Sequence, residues 1–573
     1  MRPHPIAKLS CVAALLISSG AAFAADTLLV HGRIYTGNPK APWAQALSIS
    51  GTRIAAVGAD REILSRQRAG TKIIDLHGQT VIPGFSDSHT HMWLGALALH
   101  GLNLSTPQES ITPDENPDEL VRRLKSYAAN HPGDKIIFAR ADFYTEPPKL
   151  PTRELLDHAV PDRPVIVHNS AEHALWVNTP ALRLAGITDQ PVPNPEQEKY
   201  IVRDSAHRPT GVLMEAAMRL MEHALAQELS LEEKLALLRQ AFHHLNSYGI
   251  TSITNASGDL AEIQLYAALR DRGQLTVRVK TAFGEIGSRH HLTPEFLADL
   301  EKARSLYHDE WVSAGLVKFF ADGGTGAIPP LIYEPEEYKN LVLALDKRGY
   351  QIETHTYRPD TAHMVVETYE AVEKENGPRD RRMRIEHADF VPAEDVPLLS
   401  TASLIPSMQP AFCCDKEGTN YDPNEHHTTD LWQSMEQNHV RLAFGSDWPC
   451  TWPVDPLIGI QEAVTRQIWQ PPVGHKDFPG GVFDGAGQAG SVATPQNYAP
   501  QERLTVEQAV DAYTRGSAYA RFSDDHVGTL EPGKQADLAV LSQNIFSMKP
   551  EEIAKSHVVL TMIAGRLVFE AGK

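Results

Sequence analysis

At 573 residues the chain is long enough for two to four domains and for a large buried core. Its formal charge of −19 argues against nucleic acid or an anionic membrane as partner, since both reward Lys and Arg. Four cysteines in so long a chain exclude a disulfide scaffold, so stability rests on packing.

The first element, "MRPHPIAKLSCVAALLISSGAAFA", sets Arg2 and Lys8 ahead of a short apolar run and closes on Ala22-Phe23-Ala24, the small-x-small pattern of a cleavage site. A signal peptide over 1–24 is expected, with a mature chain from Ala25 that is periplasmic or secreted. Loss of the two leader cations takes the charge from −19 to −21. The run is shorter than the roughly 20 apolar residues of a membrane span, and Cys11 lies before it, so neither a membrane nor a lipid anchor is expected.

Residues 27–83 alternate apolar and polar positions between glycines in "TLLVHGRIYTG", "ALSISGTRIAAVGA" and "TKIIDLHGQTVIPG", which reads as short strands of a small sheet. The C-terminus returns to this style in "VGTLEPGKQADLAVLS" and "SHVVLTMIAGRLVFEAGK". Together 25–83 and 522–573 predict one β-sandwich built from both ends. Between them eight short apolar runs ending in polar residues alternate with helical patterns: "TVIPGFSDSHTH", "GITSITNAS", "LTVRVKTAF", "GLVKFFADGG", "YQIETHTY", "RMRIEHADF", "ASLIPSMQP" and "VRLAFGSDWP". Strands alternating with helices imply an α/β fold with a parallel sheet, here closing as a (β/α)8 TIM barrel over 84–521. Residues 102–235 form an insertion after the first barrel strand, of helices and a strand or two ("DKIIFARADF", "RPVIVHN"), a candidate lid. The Gly- and Pro-rich stretch 471–500 reads as a long loop. Within it "GAGQAG" matches the dinucleotide fingerprint only as a string, since no strand precedes it and no helix follows.

The chemistry concentrates at strand ends. In "VIPGFSDSHTHMW" alternate residues share a face, so Phe85, Asp87, His89 and His91 point one way and Ser86, Ser88 and Thr90 the other. A His-x-His at one strand end is ambiguous on its own. Four later runs place ligand-type residues in the same relative position: Lys318 ends "GLVK", His355 "QIETH", His387 "RIEH" and Asp447 "LAFGSD". Active sites of such barrels sit at the C-terminal mouth and draw on several strands, which makes four His, one Asp and one Lys there a candidate metal site.

These motifs, with "PTRELLDHAVPDRPVIV", "AEHALWVNTPAL", "VKFFADG" and the closing "VGTLEPGKQADLAVL", resemble the amidohydrolase superfamily and its amidohydrolase-3 (YtcJ-like) branch, which includes N-substituted formamide deformylases. The resemblance implies a binuclear centre: His89 and His91 on one ion, Asp447, His355 and His387 on the other, and Lys318 carboxylated to a bridging carbamate. It also implies Asp447 as the catalytic proton acceptor while a metal-activated hydroxide attacks the carbonyl of a small amide or N-substituted formamide. Imidazole, carboxylate and carbamate suit Zn2+, with Mn2+ or Fe2+ compatible. The chain departs from the branch after His355 ("HTYRPD") and after Asp322 ("GGTGAIPP"), both at the mouth. Cyclic amides, esters or lactones are the alternative substrates, and a non-catalytic periplasmic binding or regulatory protein is the alternative class. A homo-oligomer is compatible with either.

Other residues carry paired readings. Trp93 walls the pocket or fills core; His173, with Asn178, touches substrate or ties down the insertion. Asp322 and Glu386 are candidate outer partners of ligands, Asp322 also a substrate contact, and strand parity turns Glu386 away from the mouth. Asp87 sits deeper and is expected to be hydrogen-bonded. Cys450 either bridges to Cys413 or Cys414, across adjacent strands about 4.8 Å apart, or all three remain thiols.

Overall fold

The computed structural model describes residues 26–104, 117–141, 143, 150–169, 173–284, 289, 291–323, 331–413, 429–450, 454–469 and 499–572. The expected leader, the "GAGQAG" string and residues 471–498 of the expected loop lie outside them.

Eight strands pair in parallel and in chain order: β1 (Phe85–Thr90), β2 (Ile250–Gly258), β3 (Arg278–Phe283), β4 (Val312–Phe320), β5 (Gln351–Thr356), β6 (Arg384–His387), β7 (Ile405–Met408) and β8 (Ala443–Phe444). A parallel bridge from Thr90 to Trp448 and the Asp447 N–H donated to His89 O at 2.7 Å join the last strand to the first. All eight expected barrel runs are strands. The connecting helices follow from local sequence. Leu231–Ser247 opens with a capping box of Ser230 and Glu233 and buries the stripe Leu235, Leu238, Phe242 and Leu245. It ends at Gly249, whose φ of +79° turns the chain into β2. A side chain at Gly249 would also press within 3.1 Å of Ala539 and Val558, which pack there from the C-terminal segment.

Both chain ends build the sandwich. A six-stranded sheet runs Arg566–Glu570, Val558–Ile563, Leu538–Leu541, Thr80–Pro83, Arg33–Tyr35, Trp43–Ala44, with Thr80–Pro83 antiparallel to Leu538–Leu541. A four-stranded sheet runs Arg53–Gly58, Ala46–Ser50, Thr27–Val30, Lys72–Asp75. Leu29, Ile34, Leu47, Val81, Leu538 and Met562 from the two sheets share one core.

The insertion is richer in strands than its sequence suggests. Six strands, from Leu102–Asn103 to Pro209–Met214, form a mixed sheet around a separate core of Leu120, Ile137, Val165, Val167, Trp176 and Val212. Three of these strands have four or fewer residues and carry too little alternation to read in advance. No helix among the described residues is long and apolar enough to cross a membrane.

Cys450 is a thiol, so it bridges neither Cys413 nor Cys414. Its N–H turns back to Asp447 O at 2.7 Å and its carbonyl accepts from Arg140 of the insertion at 3.3 Å. Cys413 is held in a disulfide whose partner lies outside the described residues.

Candidate metal centre

The ends of β1, β4, β5 and β6 and the segment after β8 meet at the C-terminal mouth. Alternation along β1 is not unbroken. Phe85 packs edge-on against Tyr513, and Asp87 accepts the N–H groups of His89 (3.1 Å) and Ser446 (2.9 Å). Ser88, placed on the opposite face to His89 by alternation, reaches Ser407 of β7 at 2.9 Å across the barrel. A register irregularity against β2 between Asp87 and Thr90 shifts the phase, so both Ser88 and His89 enter the interior.

The same happens at β6. Glu386 does not point away: its carboxylate meets His89 Nδ1. His387 (φ +67°) and Ala388 (φ +56°) adopt left-handed backbone, which carries the His387 ring into the mouth out of turn. His387 Nδ1 donates to Gln409 Oε1 at 2.8 Å. With Nδ1–H committed to an oxygen, each of these imidazoles presents an Nε2 lone pair to the site. His91 Nδ1 bonds Ser257 Oγ at 2.7 Å. Beneath them the fully buried Arg384 donates to both Glu386 oxygens (2.8 and 2.9 Å), Ser88 O (2.6 Å), Ser407 Oγ (3.0 Å) and Thr254 Oγ1 (3.2 Å).

Asp447 also has left-handed backbone (φ +56°) and sets Oδ1 3.1 Å from His91 Nε2 and 3.4 Å from His89 Nε2. Ligand atoms of His89, His91 and Asp447 lie within 4.8 Å of one another. Ring centroids 5.0 Å apart for His89–His387 and 4.5 Å for His355–His387 extend the group toward β5. His89 Nε2 and Asp447 Oδ1 are buried and make no hydrogen bond among the described residues. Such atoms cost about 1–3 kcal/mol each, and a divalent cation satisfies both, so this donor set fits a metal.

Electrostatics agrees. Burial first, then the charges of Lys318 and neighbouring imidazoles, hold His89 and His355 well below the usual histidine range; His387 is lowered by burial with Lys318 assisting. Burial opposes ionisation of Asp447, but His89, His91 and His387 outweigh it and keep the carboxyl below its usual range. Neutral imidazoles around a carboxylate are the forms that bind a cation. Lys318 is fully buried on β4, in register with Glu353 of β5. Burial pulls its pKa down while Glu353, Glu386 and Asp447 pull it up, with a net lowering.

The remaining candidates divide. Asp322, its pKa raised to about 6 by burial, holds the loop after β5: it accepts from Tyr357 N (2.9 Å to each oxygen) and Thr361 Oγ1, and lies 3.4 Å from His355 Nε2. These contacts place its carboxylate between the loop after β5 and the His355 ring. Asn178 caps the helix Thr179–Leu184 and bonds Val165 N, Val160 O and Arg163 O, a structural role. His173 Nδ1 meets both oxygens of the buried Glu215 (3.0 and 3.2 Å), and the imidazole lies close enough to depress His355. Trp93 lines a cavity of about 620 Å³ between barrel and insertion. Sequence reasoning missed Arg384, Ser257, Gln409 and Glu215; only Arg384, two residues before Glu386 on the same strand, left a readable signal.

The model of the amidohydrolase family matches residues 72–569. Among curated relatives, "Protein LONG AFTER FAR-RED 3" of Arabidopsis thaliana is 28% identical, over 96% of this chain and 92% of the relative. An N-substituted formamide deformylase of Arthrobacter pascens is 24% identical, over 95% of this chain and 98% of the relative. The solved structure of an uncharacterised metal-dependent hydrolase from Pyrococcus horikoshii superposes with a TM-score of 0.68 at 22% identity, covering 91% of this chain and 99% of the other, which shows a shared fold.

Proposed function

The chain belongs to the amidohydrolase family, and from that premise we propose that it is a binuclear, metal-dependent hydrolase of C–N bonds in small amides, N-substituted formamides first among them. The observation that carries the reading is the buried group of His89, His91 and Asp447 at the barrel mouth, with His89 Nε2 and Asp447 Oδ1 unsatisfied. The resemblance grouped Asp447 with His355 and His387, but its Oδ1 lies 3.1 and 3.4 Å from the Nε2 atoms of His91 and His89, so His89, His91 and Asp447 would hold one ion and His355 and His387 the other, with Lys318 contributing as a carbamate. Bound divalent ions, Zn2+ in the leading version and Mn2+ or Fe2+ otherwise, supply Lewis acidity and lower the pKa of a water at the site.

The chain's own residues do the rest. Burial lowers the pKa of Lys318 and so eases loss of its ammonium proton; the free amine then adds through Nζ to CO2 and releases a second proton to solvent, so that a buried cation ends as an anion with two oxygens. Glu386 and Arg384 fix the His89 tautomer. Asp447 accepts the proton of the attacking water and delivers it to the leaving nitrogen as the C–N bond breaks, so that water's oxygen ends on the acid and its protons on acid and amine. The formamide choice follows the Arthrobacter relative. Export through residues 1–24 is part of the same reading.

The test is turnover of a panel of N-substituted formamides, acylated amino acids and lactones by Zn2+-loaded and Mn2+-loaded protein. Formamides or simple amides should be the fastest. Turnover confined to lactones would overturn the C–N assignment, and tight binding of amides without any product would favour a binding protein.

A further inference from the structure

The cavity of about 620 Å³ between insertion and barrel is a second chemical environment, separate from the imidazole cluster. Trp93, Leu220 and Leu265 give it apolar walls. Its charged residues are mostly committed already: Arg219 pairs with Glu222 at 2.6 Å, Lys234 donates to Ala226 O at 2.5 Å, and Asp259 caps the helix Leu260–Asp271 through Glu262 N. Glu262 differs. Its Oε1 accepts from Asn255 Nδ2 (3.1 Å) and from Tyr266 OH, while no donor among the described residues reaches Oε2. That oxygen lies against Gly258, where even an added Cβ would come within 2.9 Å of it, and both residues line the cavity.

We propose that this cavity binds an organic amine, its ammonium on Glu262 Oε2 and its apolar body between Trp93, Leu220 and Leu265. A carboxyl group with one open oxygen, beside an Arg219 already paired with Glu222 and a Lys234 turned to Ala226 O, takes a cationic donor as its carboxylate, and the aromatic wall adds a cation–π face. The site also touches the metal centre's supports. Asn255, which holds Glu262, accepts Met92 N at 2.8 Å, and Ser257 beside Gly258 holds His91. An occupant would press on the short segment that orients one ligand. The assignment comes from the cavity and does not need the C–N reading; where that reading also holds, an amine is the product class it releases.

Ionisation gives a distinctive signature. Burial raises Glu262 to about 8, with Asp259 and Glu222 raising it further and Tyr266 and Arg219 opposing; Lys234 and His223 also line the cavity. At neutral pH the carboxyl is therefore protonated, and an arriving ammonium favours its carboxylate, so binding should release close to one proton per amine.

The experiment is calorimetric titration at pH 7 with benzylamine, methylammonium and the neutral isostere benzyl alcohol, in two buffers of different ionisation enthalpy, on protein both metal-loaded and chelated. Benzylamine should bind one per chain in both metal states, about tenfold or more tighter than the alcohol, the factor of one charge-assisted hydrogen bond, with proton release. Glu262→Gln, which keeps the Asn255 and Tyr266 contacts, should lose that factor and the proton release. Leu265→Ala should weaken benzylamine more than methylammonium. Equal affinity for alcohol and amine, insensitivity to Glu262→Gln, or binding that vanishes on chelation would overturn the proposal, the last by placing the amine on the metal.

Discussion

Lys318 is the residue on which the binuclear reading depends most. An ammonium among four imidazoles would repel the cations the site is built for, and the lysine is fully buried, so it has no solvent in which to place its charge. Lys318→Ala and the volume-keeping Lys318→Met should therefore lose metal and turnover together. Lys318→Ala should then regain part of the turnover with added acetate or formate, saturating with concentration, because a short carboxylate restores the two oxygens in the vacated space. Lys318→Met fills that space and should not respond. Full metal content and full rate in Lys318→Ala without added acid would show that no carbamate is involved and would recast Lys318 as a structural cation.

Elements show where sequence reading works and where it stops. The eight barrel runs were legible because strands buried on both faces are short, apolar and spaced by helices, and the candidate residues at the mouth stood out because they end those runs. Glu386 was misread because parity assumes a regular strand, and the left-handed His387 and Ala388 break it; Ser88 fails the same test at the β1 irregularity. The Glu215 contact was invisible since 42 residues separate it from His173. That contact carries a prediction for the insertion. Glu215 is buried in a left-handed conformation (φ +40°), which costs about 1–3 kcal/mol in a non-glycine residue, and it spends both oxygens on one imidazole. If His173 orients substrate, Glu215→Gln trades a charge-assisted bond for a neutral one worth about 1 kcal/mol less, and KM should rise roughly fivefold with kcat little changed. His173→Ala should raise KM further. Unchanged KM in both variants with a lowered Tm would show that the pair only staples the insertion.

At the scale of the whole molecule, the sandwich anchors the end of the barrel opposite the mouth. Thr80–Pro83 pairs with Leu538–Leu541 and runs into β1 with only Gly84 between, so the strand carrying His89 begins inside the sandwich sheet. Arg278, the first residue of β3, fastens the two bodies: it donates to Asp537 at 2.7 and 3.1 Å, both side chains only 2% exposed, while Asp537 Oδ1 also accepts Ala564 N at 2.7 Å. Asp537→Ala removes the closest anion and leaves the guanidinium with Glu310 O at 3.1 Å, the Glu310 carboxylate at 3.9 Å and the Trp311 ring at 4.5 Å, and should cost about 3 kcal/mol. The pair Arg278→Met with Asp537→Asn should recover part of that loss, because it removes the buried charges with their desolvation penalty while the Asn oxygen still accepts Ala564 N. Since sandwich and barrel share β1's entry, each variant should still melt in one transition, with turnover per folded molecule unchanged. Calorimetry resolving two transitions, the sandwich melting first while the metal centre stays active, would show that the terminal sheets are an independent appendage and not the base on which the first ligand strand is built.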